Sequence, residues 1–186
     1  PEDPAINTEI DRLDAALETR YGAGFFRNKV AESEAELTRV GLDPSMGNLV
    51  ADAYRAATGA EIGLDQLSFI YTGLPAGPLT AVDFLNALPA VYNPESGKTW
   101  TIKTLQMRGA TLKTLFGGYL LSSGLIQNRP LAVSGMKVTF RAPGDSFSGA
   151  GPRELVEIEV GGKRLDPKRT YSVALSHGLL ETFEFM

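Results

Sequence analysis

Apolar side chains recur along this chain at two spacings, and the changes of spacing mark its elements. Ile10, Leu13, Leu17 and Tyr21 follow steps of three and four, one face of a helix. Asn7 or Thr8 stands where a cap is needed, Gly22-Ala23-Gly24 stands where the helix would end, and residues 1–7 read as a linker. The other face is polar, so this helix should lie on a surface. A short strand is expected near residues 28–31. Ser45 is placed to cap a second helix, whose stripe of Met46, Leu49, Val50, Ala53, Tyr54 and Ala57 predicts a core face closed by Gly59.

Beyond Gly59 both periods appear. Leu67-Ser-Phe-Ile-Tyr71 has strand composition, and Gly73, Pro75, Gly77 and Pro78 form a loop. Thr80-Ala-Val-Asp83 has the form of a capping box opening a short helix, with Val82, Leu85 and Leu88 as its apolar face and Pro89 as its stop. Residues 92–97 read as a turn and residues 100–107 as a strand. Gly109 opens a third core helix through Leu112, Leu115, Phe116, Tyr119 and Leu120, where Gly117-Gly118 permits close packing or a bend. Leu131 and Val133 alternate, as do Met136, Val138 and Phe140. The phase slips between the two sets, which predicts a bulge at Ser134-Gly135. Residues 142–152 read as a polar loop. Val156, Ile158 and Val160 alternate up to the hairpin signal Gly161-Gly162, and Tyr171, Val173 and Leu175 are expected to pair with them.

Interleaved helices and strands with local hairpins indicate an α+β fold, a mixed α/β sandwich with helices flanking the sheet. Residues 1–24 form a linker and helical arm, and residues 25–186 one domain. The apolar tail Phe183-Glu-Phe185-Met186 suggests that the domain continues past this point.

Charge and composition narrow the chemistry. The 186 residues are 43% hydrophobic and 22% charged, with a net charge of -4. That balance suits a globular protein and argues against nucleic acid as a partner. The basic group Lys163, Arg164, Lys168 and Arg169 reads as solvated charge around a hairpin. There is no cysteine and one histidine, His177. A two-metal phosphoesterase centre needs several histidines and carboxylates around its cations, so none is expected here. His177 lacks the Gly-x-Ser-x-Gly elbow of a serine nucleophile and reads as a strand-end histidine. Residues 144–151 are glycine-rich but lack the Gly-Lys-Ser/Thr ending that grips phosphate. No apolar run is long enough to span a membrane, and residues 1–4 carry no basic or apolar leader segment.

Six motifs follow in order. They are Gly47-Asn48-Leu49 with Asp52, Ala76-Gly77-Pro78-Leu79-Thr80, Leu88-Pro89, Arg108-Gly-Ala-Thr-Leu112, Ser134-Gly135, and Asp166-Pro167 through Tyr171. From about Phe25 to Leu180 the chain thereby resembles the C-terminal domain of the 5'-nucleotidase family. The resemblance implies the substrate-recognition part of a metallophosphoesterase, a hydrolase of nucleotide catabolism. It implies a metal-binding N-terminal domain in cis, divalent metals held only there, no catalytic residue or cofactor in this chain, and a periplasmic, secreted or cell-surface setting. Departures fall on the family's substrate contacts. Ile70-Tyr-Thr-Gly-Leu74 replaces Asn-Gly-Gly-Gly-Ile-Arg, Pro89-Ala90 replaces Pro-Phe, and the second base-stacking aromatic falls near Gly178. A Gly-Gly-Asp-Gly motif is missing. Tyr71, Tyr92 and His177 lie at or beside the vacated positions and are the candidate contacts to a nucleotide, nucleoside or other small molecule. The alternative is a degenerate domain that binds a different small molecule or a protein.

Overall fold

The computed structural model describes residues 3–41, 43–88, 100–122, 131–141 and 153–184. The turn expected at 92–97, the loop at 142–152, Pro89 and Tyr92 lie outside them. Helix α1 (Pro4–Tyr21) is followed by strand β1 (Lys29–Ser33), helix α2 (Ser45–Thr58), strand β2 (Ile62–Gln66) and a single 3₁₀ turn, Leu67–Phe69. Then come β3 (Gly77–Thr80), α3 (Ala81–Ala87), β4 (Ile102–Arg108), α4 (Gly109–Ser122), β5 (Leu131–Ser134), β6 (Met136–Arg141), β7 (Glu154–Val160), β8 (Lys163–Arg164), β9 (Thr170–Ser176) and α5 (His177–Glu184).

The main sheet runs in the order β4-β9-β2-β5. β2 and β9 are parallel neighbours, whereas β4 on β9 and β5 on β2 are antiparallel. β6, β7 and β8 form a separate antiparallel sheet, and β1 pairs with β3. The result is the expected α+β fold with a mixed sheet.

β2 is buried along its whole length because it is covered on both faces. Ile62 and Leu64 enter a core with Leu112, Phe116, Ile158, Val160, Tyr171, Val173, Leu175 and Leu179. On the opposite face Gly63 lies under α2, where a Cβ would meet the Ala51 carbonyl. Gly47 meets Ala132 in the same layer, its Cβ position 2.8 Å from the alanine methyl. Small residues on both sides bring α2 down onto the sheet. A second core joins Met46, Val50, Leu67, Ile70, Leu74, Leu79 and Ala87.

Several local expectations change. The strand is Ile62–Gln66, and Leu67-Ser-Phe turns instead. Gly63, Asp65 and Gln66 hid the strand, because all three are buried under the layers that cover it rather than turned to water. α1 begins at Pro4, capped by the Asp3 carboxylate, which accepts from the Ala5 amide at 2.9 Å. Neither Asn7 nor Thr8 caps it, and residues 4–7 are helical rather than linker. No α1 residue is buried. Ser45 is the first helical residue of α2, and its hydroxyl accepts from the Thr38 amide at 2.9 Å. In α2 the buried stripe is Met46, Gly47, Val50 and Ala51, while Leu49, Ala53 and Ala57 are exposed.

In α3 the Thr80–Asp83 capping box forms, but Val82 and Leu85 are exposed and Phe84, Ala87 and Leu88 face the second core. Ser134-Gly135 is not a bulge within one strand. It is the corner where the chain leaves the main sheet for the β6–β8 sheet, with Gly135 at φ +72°. β9 pairs with β4 and β2, not with β7, whose hairpin partner is the short β8 across Gly161-Gly162. At Gly117 and Gly118 nothing lies within 4 Å of a Cβ, so close packing does not explain them. The basic cluster is partly paired: Arg164 lies 3.3 Å from Glu157, and Arg169 pairs with Glu61 while stacking on Tyr171.

Candidate ligand site

Two parallel strands side by side place their C-terminal ends at one edge of the sheet, where the chain must leave for its next element. At this edge β2 ends in Asp65 and Gln66, and β9 ends in Ser176. Asp65 is 1% exposed. Its Oδ1 accepts from the Ser176 hydroxyl and the Gln66 amide, and its Oδ2 from the Tyr54 hydroxyl, each at 2.8 Å. Burial pushes the Asp65 carboxyl above the usual carboxylate range, against the pull of these three donors. Burial also raises the Tyr54 phenol, and the neighbouring carboxylate adds to that.

A cavity of about 170 Å³ opens beside Asp65, lined by Tyr54, Phe69, Leu88, Trp100, Ile102 and Ser176 among others. The Phe69 and Trp100 rings stand at 83° with centroids 4.7 Å apart. The indole rests on Gly178, where any Cβ would collide with its six-membered ring. Ser176 ties the edge together: its hydroxyl donates to Asp65 and accepts from the Leu179 amide in the first turn of α5.

Of the residues singled out from sequence, Tyr71 and His177 follow the ends of these two neighbouring strands, and Tyr92 lies outside the described residues. Tyr71 is 61% exposed, and its side chain does not line the cavity. Its backbone is fixed, donating to the Ala87 carbonyl at 2.8 Å and accepting from Arg39 at 2.7 Å. His177 opens α5, donates its amide to the Thr101 carbonyl at 2.9 Å, and sets Nε2 3.4 Å from Glu181. Sequence reasoning missed Tyr54, Asp65, Phe69, Trp100 and Ser176. One signal was available: Asp65 is the lone acid in the run Ile62–Ile70.

A larger cavity of about 600 Å³ lies between α2, α4 and the β5–β6 corner. Part of its polar lining is tied together by hydrogen bonds. Ser134 donates to Asp52, Arg55 donates to Ser134 at 3.0 Å, and Asn48 donates to Asp43 at 2.8 Å. Arg153 sits over the Phe140 ring, and burial pushes the Tyr119 phenol up to about 12. Here Asp52 of the first motif meets Ser134 of the fifth, so both act as structure. Among the described residues no group of three or more histidine, aspartate or glutamate side chains could hold a metal ion. No helix among them is long and apolar enough to cross a membrane.

Comparison with known proteins agrees with this architecture. The family model described as "5'-nucleotidase, C-terminal domain" matches residues 23–183. The 5'-nucleotidase precursor of Thermus thermophilus superposes with a TM-score of 0.70 at 21% identity, over 97% of this chain and 34% of that one. The Haemophilus influenzae NAD nucleotidase gives 0.67 at 14% identity, over 91% and 32%. The Thermus thermophilus sulfate thiohydrolase SoxB gives 0.60 at 21% identity, over 92% and 32%. At these identities the likeness is one of fold, and this chain spans about a third of each solved relative. No curated protein matches the chain. The match over residues 23–183, on a fold shared with such enzymes, places this chain in the 5'-nucleotidase C-terminal domain family.

Proposed function

We propose that this chain is the substrate-recognition domain of a 5'-nucleotidase-like metallophosphoesterase that serves nucleotide catabolism. A metal-binding domain in cis would supply the hydrolytic chemistry, and this chain alone would be inert. One observation carries the reading: a domain of this family is present with a single histidine in its whole sequence. Two-metal hydrolysis needs a cluster of ligands that activates water and stabilises the leaving oxygen. Divalent metals would then belong to the companion domain. Residues 1–24 would form the arm leading from it, and residues 25–186 the holder. Tyr71, Tyr92 and His177 would contact the ligand, in a periplasmic, secreted or cell-surface protein. The test is phosphate release from AMP by the pure chain with magnesium, manganese or zinc. No release above the protein-free blank is expected, and release proportional to protein concentration would refute the reading.

A second reading is favoured by one feature of the site. The family's glycine-rich segment with its arginine is absent, and Phe69 and Trp100 fill the edge of the sheet instead. On this reading the nucleotide site has decayed and the domain holds another small molecule or a protein. Calorimetric titration with adenosine and AMP separates the two. Micromolar binding, about -8 kcal/mol, would rule out the decayed site.

A further inference from the structure

The cavity beside Asp65 has a chemistry of its own. A buried carboxylate is normally matched by a cation or a metal. Asp65 has three neutral donors, and among the described residues no lysine, arginine or histidine pairs with it or lines the cavity. The walls are aromatic: Phe69 and Trp100 stand nearly at right angles, and Tyr54 adds a third ring. Ring faces carry negative quadrupole potential and attract a cation that sheds little hydration, a quaternary ammonium above all. A strongly hydrated metal ion would want more oxygen ligands than this one sheathed carboxylate offers. The volume, about 170 Å³, is below the roughly 300–1,000 Å³ of pockets for drug-sized ligands. It suits a compact head group better than a nucleoside.

We propose that this pocket takes a small methylated ammonium group, enclosed by Tyr54, Phe69 and Trp100 with Asp65 as its counter-charge. The inference rests on the second reading above, in which the domain holds a ligand other than a nucleotide. The burial that disfavours the Asp65 carboxylate when the pocket holds no cation would be offset by the ligand's charge. Gly178 belongs to the same device, because it alone leaves room for the indole that forms one wall.

Trp100 is the sole tryptophan of the chain, so its emission reports on the pocket directly. The experiment titrates the whole chain with choline chloride against sodium chloride of equal ionic strength. Parallel titrations use the uncharged isostere of choline, in which tert-butyl replaces trimethylammonium, and adenosine. Choline is expected to change Trp100 emission saturably, with a dissociation constant of about 1 mM or tighter. The isostere should bind at least about tenfold more weakly, since it lacks the charge that the rings and carboxylate read. Asp65→Asn keeps the side-chain shape, and it should weaken choline at least about tenfold while leaving the isostere unchanged. Equal response to choline and isostere, or none to choline, overturns the inference, and this wild-type comparison does not depend on how the variant folds. Saturable adenosine binding would overturn the second reading itself. Silence towards both adenosine and choline would overturn only the ammonium assignment.

Discussion

Gly63→Ala should be the most damaging single-methyl change in the sheet. Gly63 sits mid-strand in β2, and an added Cβ would fall well inside 3.0 Å of the Ala51 carbonyl oxygen and 2.9 Å from its carbon. Both partners are backbone, so no rotamer change relieves the clash. α2 would have to withdraw by about 1 Å, and a gap of that size forfeits a quarter to a half of the dispersion well at every contact of the layer. That layer includes Met46, Val50 and Ala51, all 2% exposed or less. Overpacking of a tight core costs about 1–3 kcal/mol, and a backbone-to-backbone clash belongs at the upper end, about 3 kcal/mol. For a chain of this length that lowers the thermal midpoint by about 6–12 °C. Urea unfolding followed by circular dichroism measures it, with an unchanged m-value as the check that only stability has moved. Gly162→Ala is the control. Its φ is +74° and nothing lies within 4 Å of its Cβ, so left-handed strain of about 1–2 kcal/mol is all it should lose. If Gly63→Ala is no worse than Gly162→Ala, the close approach of α2 to β2 is wrong.

Tyr171→Phe should lose about 1 kcal/mol. The buried phenol oxygen accepts from the Asp166 amide at 2.9 Å, and phenylalanine leaves that part-buried amide without it; a loss within error in urea unfolding would show that the bond contributes nothing. Asp65 makes stability depend on pH in the sense opposite to an ion-paired carboxylate. Its folded pKa is raised, chiefly by burial, so the folded state holds the proton to higher pH than the unfolded chain does. Its contribution is complete below the unfolded value of about 3.9 and is lost as pH rises through the folded value. Unfolding free energies of the wild type and Asp65→Asn, compared from pH 3.5 upward (a range set by about that reference value), should therefore diverge in favour of the asparagine. A constant difference across the range would count against the raised value.

What could be read from sequence followed the periodicity. α4 kept its predicted face because it is covered on one side only: Leu112 and Phe116 enter the core, Leu115 packs against it, and Leu120 is buried on the same side. The Thr80–Asp83 box and the Gly161-Gly162 turn are local, and local chemistry suffices for both. β2 was illegible for a tertiary reason. Covered on both faces, it offers only the brief alternation of Ile62 and Leu64 with Gly63 and Asp65, and its glycine and aspartate look like loop residues until α2 is seen above them. The slip at Ser134-Gly135 was visible, but a bulge and a change of sheet leave the same trace in sequence. Trp100 and Phe69 are far apart in the chain and meet only through the pairing of β4 with β9 and β9 with β2. No spacing rule could have joined them.

Four of the six motifs that marked the family hold one another in pairs. Asp52 of the first accepts from Ser134 of the fifth across 82 positions. The fourth and sixth meet where the Gly109 amide donates to the Arg169 carbonyl at 2.8 Å and the Ala110 amide to the Pro167 carbonyl at 3.0 Å. A Cβ at Gly109 would collide with the Asp166 carbonyl, so that motif's glycine is required by contact and not by catalysis. The cavity beside Asp65 is lined by a different set, Tyr54, Phe69, Trp100 and Ser176 among them. Family membership and ligand chemistry are therefore separable in this molecule. Gly63→Ala and Tyr171→Phe should reduce stability without changing which ligand is preferred. Asp65→Asn should change the preference between choline and its isostere, a ratio that stability alone does not move.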